Sequence, residues 1–328
     1  MKKIKAAISG YGNIGRAVEL AIMQNTDFEL VAIVTRRNPK DIKPITENVK
    51  VINDSDVDIL IDKIDIMFLC GGSATDLPRL TPEYAKKFNT IDTFDTHAKI
   101  PEYFDVVDRN SRENGHISMI SCGWDPGLFS LMRVLGGAIL PHGESYTFWG
   151  KGVSQGHSDA IRRVEGVKLG IQYTVPTQSA VEAVRDGKNP VLTTREKHTR
   201  ECFIVPYEDA DREKIRQEIV GMPNYFADYD TTVNFITEEE FRKNHSKMPH
   251  GGFVFRTGTT NNEKNNQVME FSLKLDSNAE FTASVAVAYA RATIRMYEQN
   301  RRGAITVLDV PPYMLSSFSN EELRKELL

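Results

Sequence analysis

Cysteine is scarce in this chain. Cys70, Cys122 and Cys202 stand far apart in 328 residues and show no metal-ligand spacing. A disulfide framework and a thiolate metal centre are thereby excluded, and buried, reduced thiols are expected. The seven histidines are scattered and form no HExxH pair, so metal catalysis has no support. GxSxG is missing, and with it the case for a hydrolase triad. No apolar run approaches the ~18 residues of a membrane span. Positive charge is not in surplus either. The net charge is −4, which argues against a general nucleic-acid binder. The opening MKKIKAAISGYG is short and basic, then apolar, as a signal peptide would be. Its apolar part is brief and flows into a glycine loop, so a cytoplasmic location is expected. Internal repeats and low-complexity tracts are lacking.

What is present is a chain with 40% hydrophobic and 26% charged residues, long enough for two domains. The first forty residues say most. An apolar, strand-like run ends at Gly10, and a Gly10-x-Gly12-x-x-Gly15 loop follows. A helical pattern then places Ile14, Val18, Ala21 and Ile22 on one face. A second apolar strand, Phe28 to Val34, ends in Thr35, Arg36 and Arg37. A dinucleotide-binding fingerprint needs this strand–turn–helix–strand context. The glycines let backbone approach a pyrophosphate, and the helix N-terminus favours its charge. A carboxylate at the end of the second strand would select NAD. Two arginines there suit the 2′-phosphate of NADP. The bland alternative is a tight turn in an α/β domain with no ligand.

Further apolar runs follow at Val49–Ile52, Val57–Ile61, Ile64–Cys70, Asn89–Asp92 and Ile117–Cys122, with a helix over Pro101–Glu113. The alternation implies a doubly wound parallel sheet, whose strand ends line the cofactor crevice. Ser73 and Thr75, after Ile64–Cys70, face the cofactor or simply cap a helix. Asp95 and Asp125 also follow strands. Each can pair with an ammonium or accept its proton, or else cap a turn. Trp124 and Trp149 flank the same segments. From Ser145 the texture changes to longer strand-like pieces with two helical interruptions, at Ser179–Asp186 and Asp209–Val220. This suggests a mostly antiparallel sheet. A helix over Phe281–Gln299 is expected to return to the first domain.

Several long segments together are distinctive: SGYGNIGR, TRR, CGGSATD, IDTFDTH, SCGWDPG, TFWGKGVSQGHSDA, HTRECF, MPHGG, LKLDSN and ITVLDVPPYML. On these, over almost its whole length, the chain resembles the NADP-dependent meso-diaminopimelate dehydrogenases of bacterial lysine synthesis. The resemblance implies a Rossmann-type domain over 1–125 completed by 278–328, and an α+β substrate-binding and dimerisation domain over 126–277. It implies NADP contacts at Gly10, Tyr11, Gly12, Asn13, Ile14, Gly15, Thr35, Arg36, Arg37, Cys70, Gly72, Ser73 and Thr75. Substrate contacts are implied at Asp95, Trp124, Asp125, Trp149, Gln155, Gly156, Thr174, Arg200, His250 and Asn278.

The implied reaction is oxidative deamination of the D-centre of meso-diaminopimelate, with release of ammonia, and its reverse. Arg200, Thr174 and His250 would hold the carboxylate of the unreacting L-centre. Asp95 and Asp125 would face ammonium groups, with Asp125, Asp95 or His157 as proton acceptor. A homodimer is expected. Two alternatives remain open: a D-amino-acid dehydrogenase of broader specificity, and a non-catalytic NADP sensor. The HTRECF and MPHGG segments count against a homoserine dehydrogenase or a dihydrodipicolinate reductase.

Overall fold

The computed structural model describes residues 3–328. Its first strand, β1 (Ile4–Ser9), is apolar without alternation because helices cover both faces, so Ala6, Ala7 and Ile8 are all fully buried. Gly10 follows at φ +92°, in the left-handed region that glycine enters without penalty. The chain then turns into α1 (Asn13–Met23), which runs back to β2 (Phe28–Thr35). The same parallel winding continues through β3 (Lys50–Asn53), β4 (Ile66–Leu69), α2 (Leu77–Tyr84), β5 (Thr90–Asp92), α3 (Ile100–Glu113) and β6 (Ile117–Met119).

By contact the chain divides into two units. The first is Met1–Leu131 with Ala279–Leu328. It holds one seven-stranded sheet in the order β14-β6-β5-β4-β1-β2-β3, where β14 is Gly303–Ile305. All its pairings are parallel. The order reverses at β1, between β2 and β4, and open α/β sheets bind ligands beyond the strand ends at such a switch point.

The second unit is Met132–Asn278, and the chain enters it within α4 (Leu128–Ile139). It contains two sheets rather than one. β7 (Gly143–Trp149), β12 (His250–Thr260) and β13 (Asn265–Leu275) form an antiparallel sheet. β8 (Gly152–Val153), β9 (Val167–Pro176), β10 (His198–Pro206) and β11 (Asp230–Phe235) form the other. In that sheet β10 and β11 run parallel, a departure from the mostly antiparallel pattern. Helices α5 (Gln155–Arg162), α6 (Gln178–Arg185), α7 (Thr194–Lys197), α8 (Arg212–Val220) and α9 (Glu238–Asn244) fill the connections. The apolar run at Val57–Ile61 lies in 3₁₀ turns (Asp54–Leu60) instead of extended chain. Its Val57 and Leu60 are buried one turn apart, a spacing that serves a 3₁₀ helix as well as a short strand. α10 (Asn278–Glu298) ends in β14, so the last fifty residues belong to the first unit.

Candidate active site

In the first unit the glycine loop has the form a dinucleotide needs. A Cβ on Gly15 would fall 2.0 Å from the Gly10 carbonyl oxygen, so the loop closes only on glycine. A Cβ on Gly12 would meet nothing within 4 Å. Space therefore lies in front of the N-terminus of α1, whose free amides and dipole favour an anion. Ser9, Gly10, Val34, Thr35, Arg36 and Gly71 line an adjoining cleft. Arg36 pairs with Asp76 at 2.9 Å, and Arg37 donates to the Tyr11 carbonyl at 2.5 Å. Both guanidiniums thus stand beside the glycine loop. The Tyr11 hydroxyl donates to buried Glu19, whose other oxygen accepts from the amides of Ile45 and Thr46. Burial, reinforced by Glu19, raises the Tyr11 pKa to about 12.

Cys70 closes β4 against β1, its amide donating to the Ser9 carbonyl at 2.8 Å. Burial pushes its thiol well above the usual range, so it serves as packing and not as a nucleophile. Ser73 does not cap a helix. Its hydroxyl accepts from the Asp95 amide at 2.9 Å and ties the β4 loop to the β5 loop. Asp76, not Ser73 or Thr75, precedes α2.

The loops carrying Asp95, Trp124 and Asp125 are braced by a residue that the sequence does not single out. Asp92, fully buried at the end of β5, accepts from the amides of Phe94 (3.0 Å) and Ser121 (2.9 Å). It also accepts from the hydroxyls of Thr81 (3.0 Å) and Tyr103 (2.6 Å). Burial raises its pKa against the pull of those donors. Asp95 is exposed just beyond it. Trp124 is buried edge-on against Phe129, with ring centroids 5.2 Å apart. Gly127 is obligatory in the Asp125-Pro126-Gly127 turn, because a Cβ there would lie 1.7 Å from the Gly123 carbonyl oxygen.

In the second unit Thr174 lies on β9 and Arg200 on β10, while Trp149 ends β7, Gln155 and Gly156 open α5, His250 opens β12 and Asn278 opens α10. In register, Gly152 faces Thr174 and Thr174 faces Arg200. Arg200 is 6% exposed and donates to the Thr174 hydroxyl. Its guanidinium lies 3.8 Å from the Tyr229 ring centroid. Among the described residues no carboxylate pairs with it, and its Nε is buried without a hydrogen-bond partner. Burial lowers its pKa. His250 packs on Gly152, where a Cβ would fall 2.4 Å from the imidazole, so it adjoins the same row.

Trp149 is 39% exposed and stacks on His198, whose Nε2 accepts from the Trp149 amide at 2.8 Å. Burial first, then the charge of Arg200, lowers His198 and His157 to about 4 each, so both are neutral. The Gln155 amide reaches the Met248 sulfur at 2.6 Å, and the Asn278 amide donates to the Met248 carbonyl at 3.1 Å. Gly156 opens α5 beside Gln155. Gln172 and Tyr229 are not singled out from the sequence, and His198 and Met248 appear there only within the HTRECF and MPHGG segments. A fully buried glutamine two residues from Thr174 is visible only once the strand's faces are known.

A family model, the diaminopimelic acid dehydrogenase C-terminal domain, matches residues 123–277. The meso-diaminopimelate D-dehydrogenase of Lysinibacillus sphaericus is 59% identical, with 100% of both chains covered. A crystal structure of a multiply substituted Clostridium tetani meso-DAP dehydrogenase with DAP is 55% identical, with TM-score 0.93, covering 99% of this chain and 100% of that one. An engineered D-amino acid dehydrogenase bound to NADP+ is 42% identical, with TM-score 0.86 and 100% of both chains covered.

Proposed function

The chain belongs to the meso-diaminopimelate D-dehydrogenase family, and on that premise we propose how its own residues perform the family's reaction. It is an oxidoreductase acting on a CH–NH2 group. With water supplying the ketone oxygen, it deaminates the D-centre of meso-2,6-diaminopimelate to L-2-amino-6-oxopimelate and ammonia, and catalyses the reverse amination, in lysine and diaminopimelate biosynthesis. NADP, when bound, takes up the hydride lost from the D-centre.

Arg200 carries this reading. A buried guanidinium without an acid partner is costly, and a substrate carboxylate supplies the missing charge. Arg200 and Thr174 therefore hold the carboxylate of the L-centre, and His250 closes one side of that position. Trp149, Gln155, Gly156 and Asn278 border the hydrocarbon chain and its polar end. At the D-centre, Asp95 and Asp125 attract the ammonium, and Asp125 takes its proton. Trp124 walls the hydrocarbon chain beside it.

Gly10, Gly12 and Gly15 give close backbone approach to the pyrophosphate of NADP, and Tyr11, Asn13 and Ile14 shape that loop. Thr35, Arg36 and Arg37 hold the 2′-phosphate. Cys70, Gly72, Ser73 and Thr75 border the neighbouring strand end. Selectivity follows if only the isomer with an L-centre at Arg200 places a D-centre for reaction.

We also propose that the enzyme is a cytoplasmic homodimer in which residues 126–277 bind substrate and dimerise. The dimer is supported by exposed Val134, Leu135 and Ile139 on α4. Among the described residues no helix is long and apolar enough to cross a membrane. The test is NADP reduction with meso-, LL- and DD-diaminopimelate and with simple D-amino acids. Activity with the meso isomer alone is expected. Comparable rates with simple D-amino acids would replace this reading with the broader dehydrogenase, and no activity would favour the NADP sensor.

A further inference from the structure

Gln172 sits on β9 two residues before Thr174, hence on the same face of the strand. It is 0% exposed. Its backbone is fully engaged: the amide donates to the Ser158 hydroxyl at 3.0 Å, and the carbonyl accepts from Ser154 at 3.2 Å. Its side chain is half engaged. Nε2 donates to the Thr174 hydroxyl at 3.4 Å, while Oε1 is buried without a partner.

The Thr174 oxygen has two lone pairs and one proton. Arg200 Nη1 takes one lone pair and Gln172 Nε2 takes the other. The Thr174 proton is left for a ligand. Three capacities then stand open in one buried patch: a Thr174 O–H donor, an Arg200 Nε donor and a Gln172 Oε1 acceptor. A substrate carboxylate answers the donors on Thr174 and Arg200, while the Gln172 Oε1, on a side chain with no exposure, lies behind them. Leaving donors unmet is unfavourable, so a bound carboxylate relieves them.

We propose that Gln172 is a specificity-determining residue. Its neutral amide leaves Arg200 without an internal counter-charge, and its hydrogen bond turns the Thr174 hydroxyl toward the substrate carboxylate. This rests on the assignment of Arg200 and Thr174 to the carboxylate. The choice of glutamine over glutamate is then functional. Glutamate at the same position would share Thr174 with Arg200 and stand beside the unpaired guanidinium as its counter-ion. That would stabilise the folded protein and deprive the substrate of its site, a conflict of stability with function.

The test compares Gln172→Glu, Gln172→Leu and Arg200→Met in the full-length protein. It reads melting temperature, KM for meso-diaminopimelate, kcat and NADP affinity. Gln172→Glu is expected to raise the melting temperature while raising KM about tenfold or more. Gln172→Leu is expected to raise KM with an unchanged or higher melting temperature, since a buried unmet acceptor is removed. Both should leave NADP affinity unaltered and kcat at saturation within a few-fold. A residue with a merely structural role would lose stability in both. Arg200→Met should raise KM more than either. If it does not, the carboxylate assignment itself fails. If it does, while the Gln172 variants keep the parent KM, or Gln172→Glu melts lower or does not fold, the proposal for Gln172 is overturned and the assignment of Arg200 stands.

Discussion

At the scale of single residues, the exposed Arg36 and the buried Arg200 behave differently. Arg36 is exposed and paired with Asp76, so the bridge itself contributes little to stability. Its proposed role is to hold, with Arg37, the 2′-phosphate of NADP. Replacing both by alanine should weaken NADP binding by about a hundredfold and NAD binding far less, since only NADP carries the 2′-phosphate. Equal losses in titrations of the two cofactors would contradict the 2′-phosphate assignment. Arg36 and Arg37 were legible in the sequence because they directly follow a strand that a glycine loop had already identified. Asp92 and Gln172 were not. A buried carboxylate or amide has no local signature, and its role depends on donors from elements far along the chain.

At the scale of elements, one ion pair fastens the last long helix. Arg291 of α10 is 3% exposed and grips Asp27, just before β2, with both arms, at 2.5 and 2.8 Å. It also donates to Asn25 and to the Leu315 carbonyl. Burial opposes the ionised form of Asp27, but the Arg291 hydrogen bond and charge prevail and hold its carboxyl below the usual range. Arg291→Ala would leave this acid without its partner. A loss of about 3–5 kcal/mol is expected, read as a lower midpoint in urea unfolding; an unchanged midpoint would show that α10 is held by packing alone. The alternation of strands in the first unit was readable because parallel strands buried on both faces are uniformly apolar. The 3₁₀ turns at Asp54–Leu60 and the helix at Gln155–Arg162 were not, because short segments carry too few turns to display a period.

At the scale of the whole molecule, acid should unfold this protein earlier than its carboxylates alone require. His157 and His198 are neutral in the fold, with pKa values lowered to about 4 by burial and then by Arg200. Unfolding returns each to about 6.5. The unfolded chain thus binds more protons between these values. Stability present above pH ~6.5 is lost as pH falls toward 4. The melting temperature should drop across that interval, and His157→Gln or His198→Gln should flatten the slope; a slope that neither variant alters would contradict this account. The sequence by itself determined the nucleotide half: the glycine loop, the arginine pair and the parallel winding, all encoded by neighbours in the chain. It also determined the family, through long contiguous segments. Only the tertiary structure decided which side chains of the second half act together. Arg200 and Thr174 are 26 residues apart and meet because β9 and β10 pair in one register. A shift of one residue would turn Arg200 to the opposite face. Spacing along the chain does not contain that register, and the buried, unpaired charge on which the proposed carboxylate site rests exists only once the strands have paired.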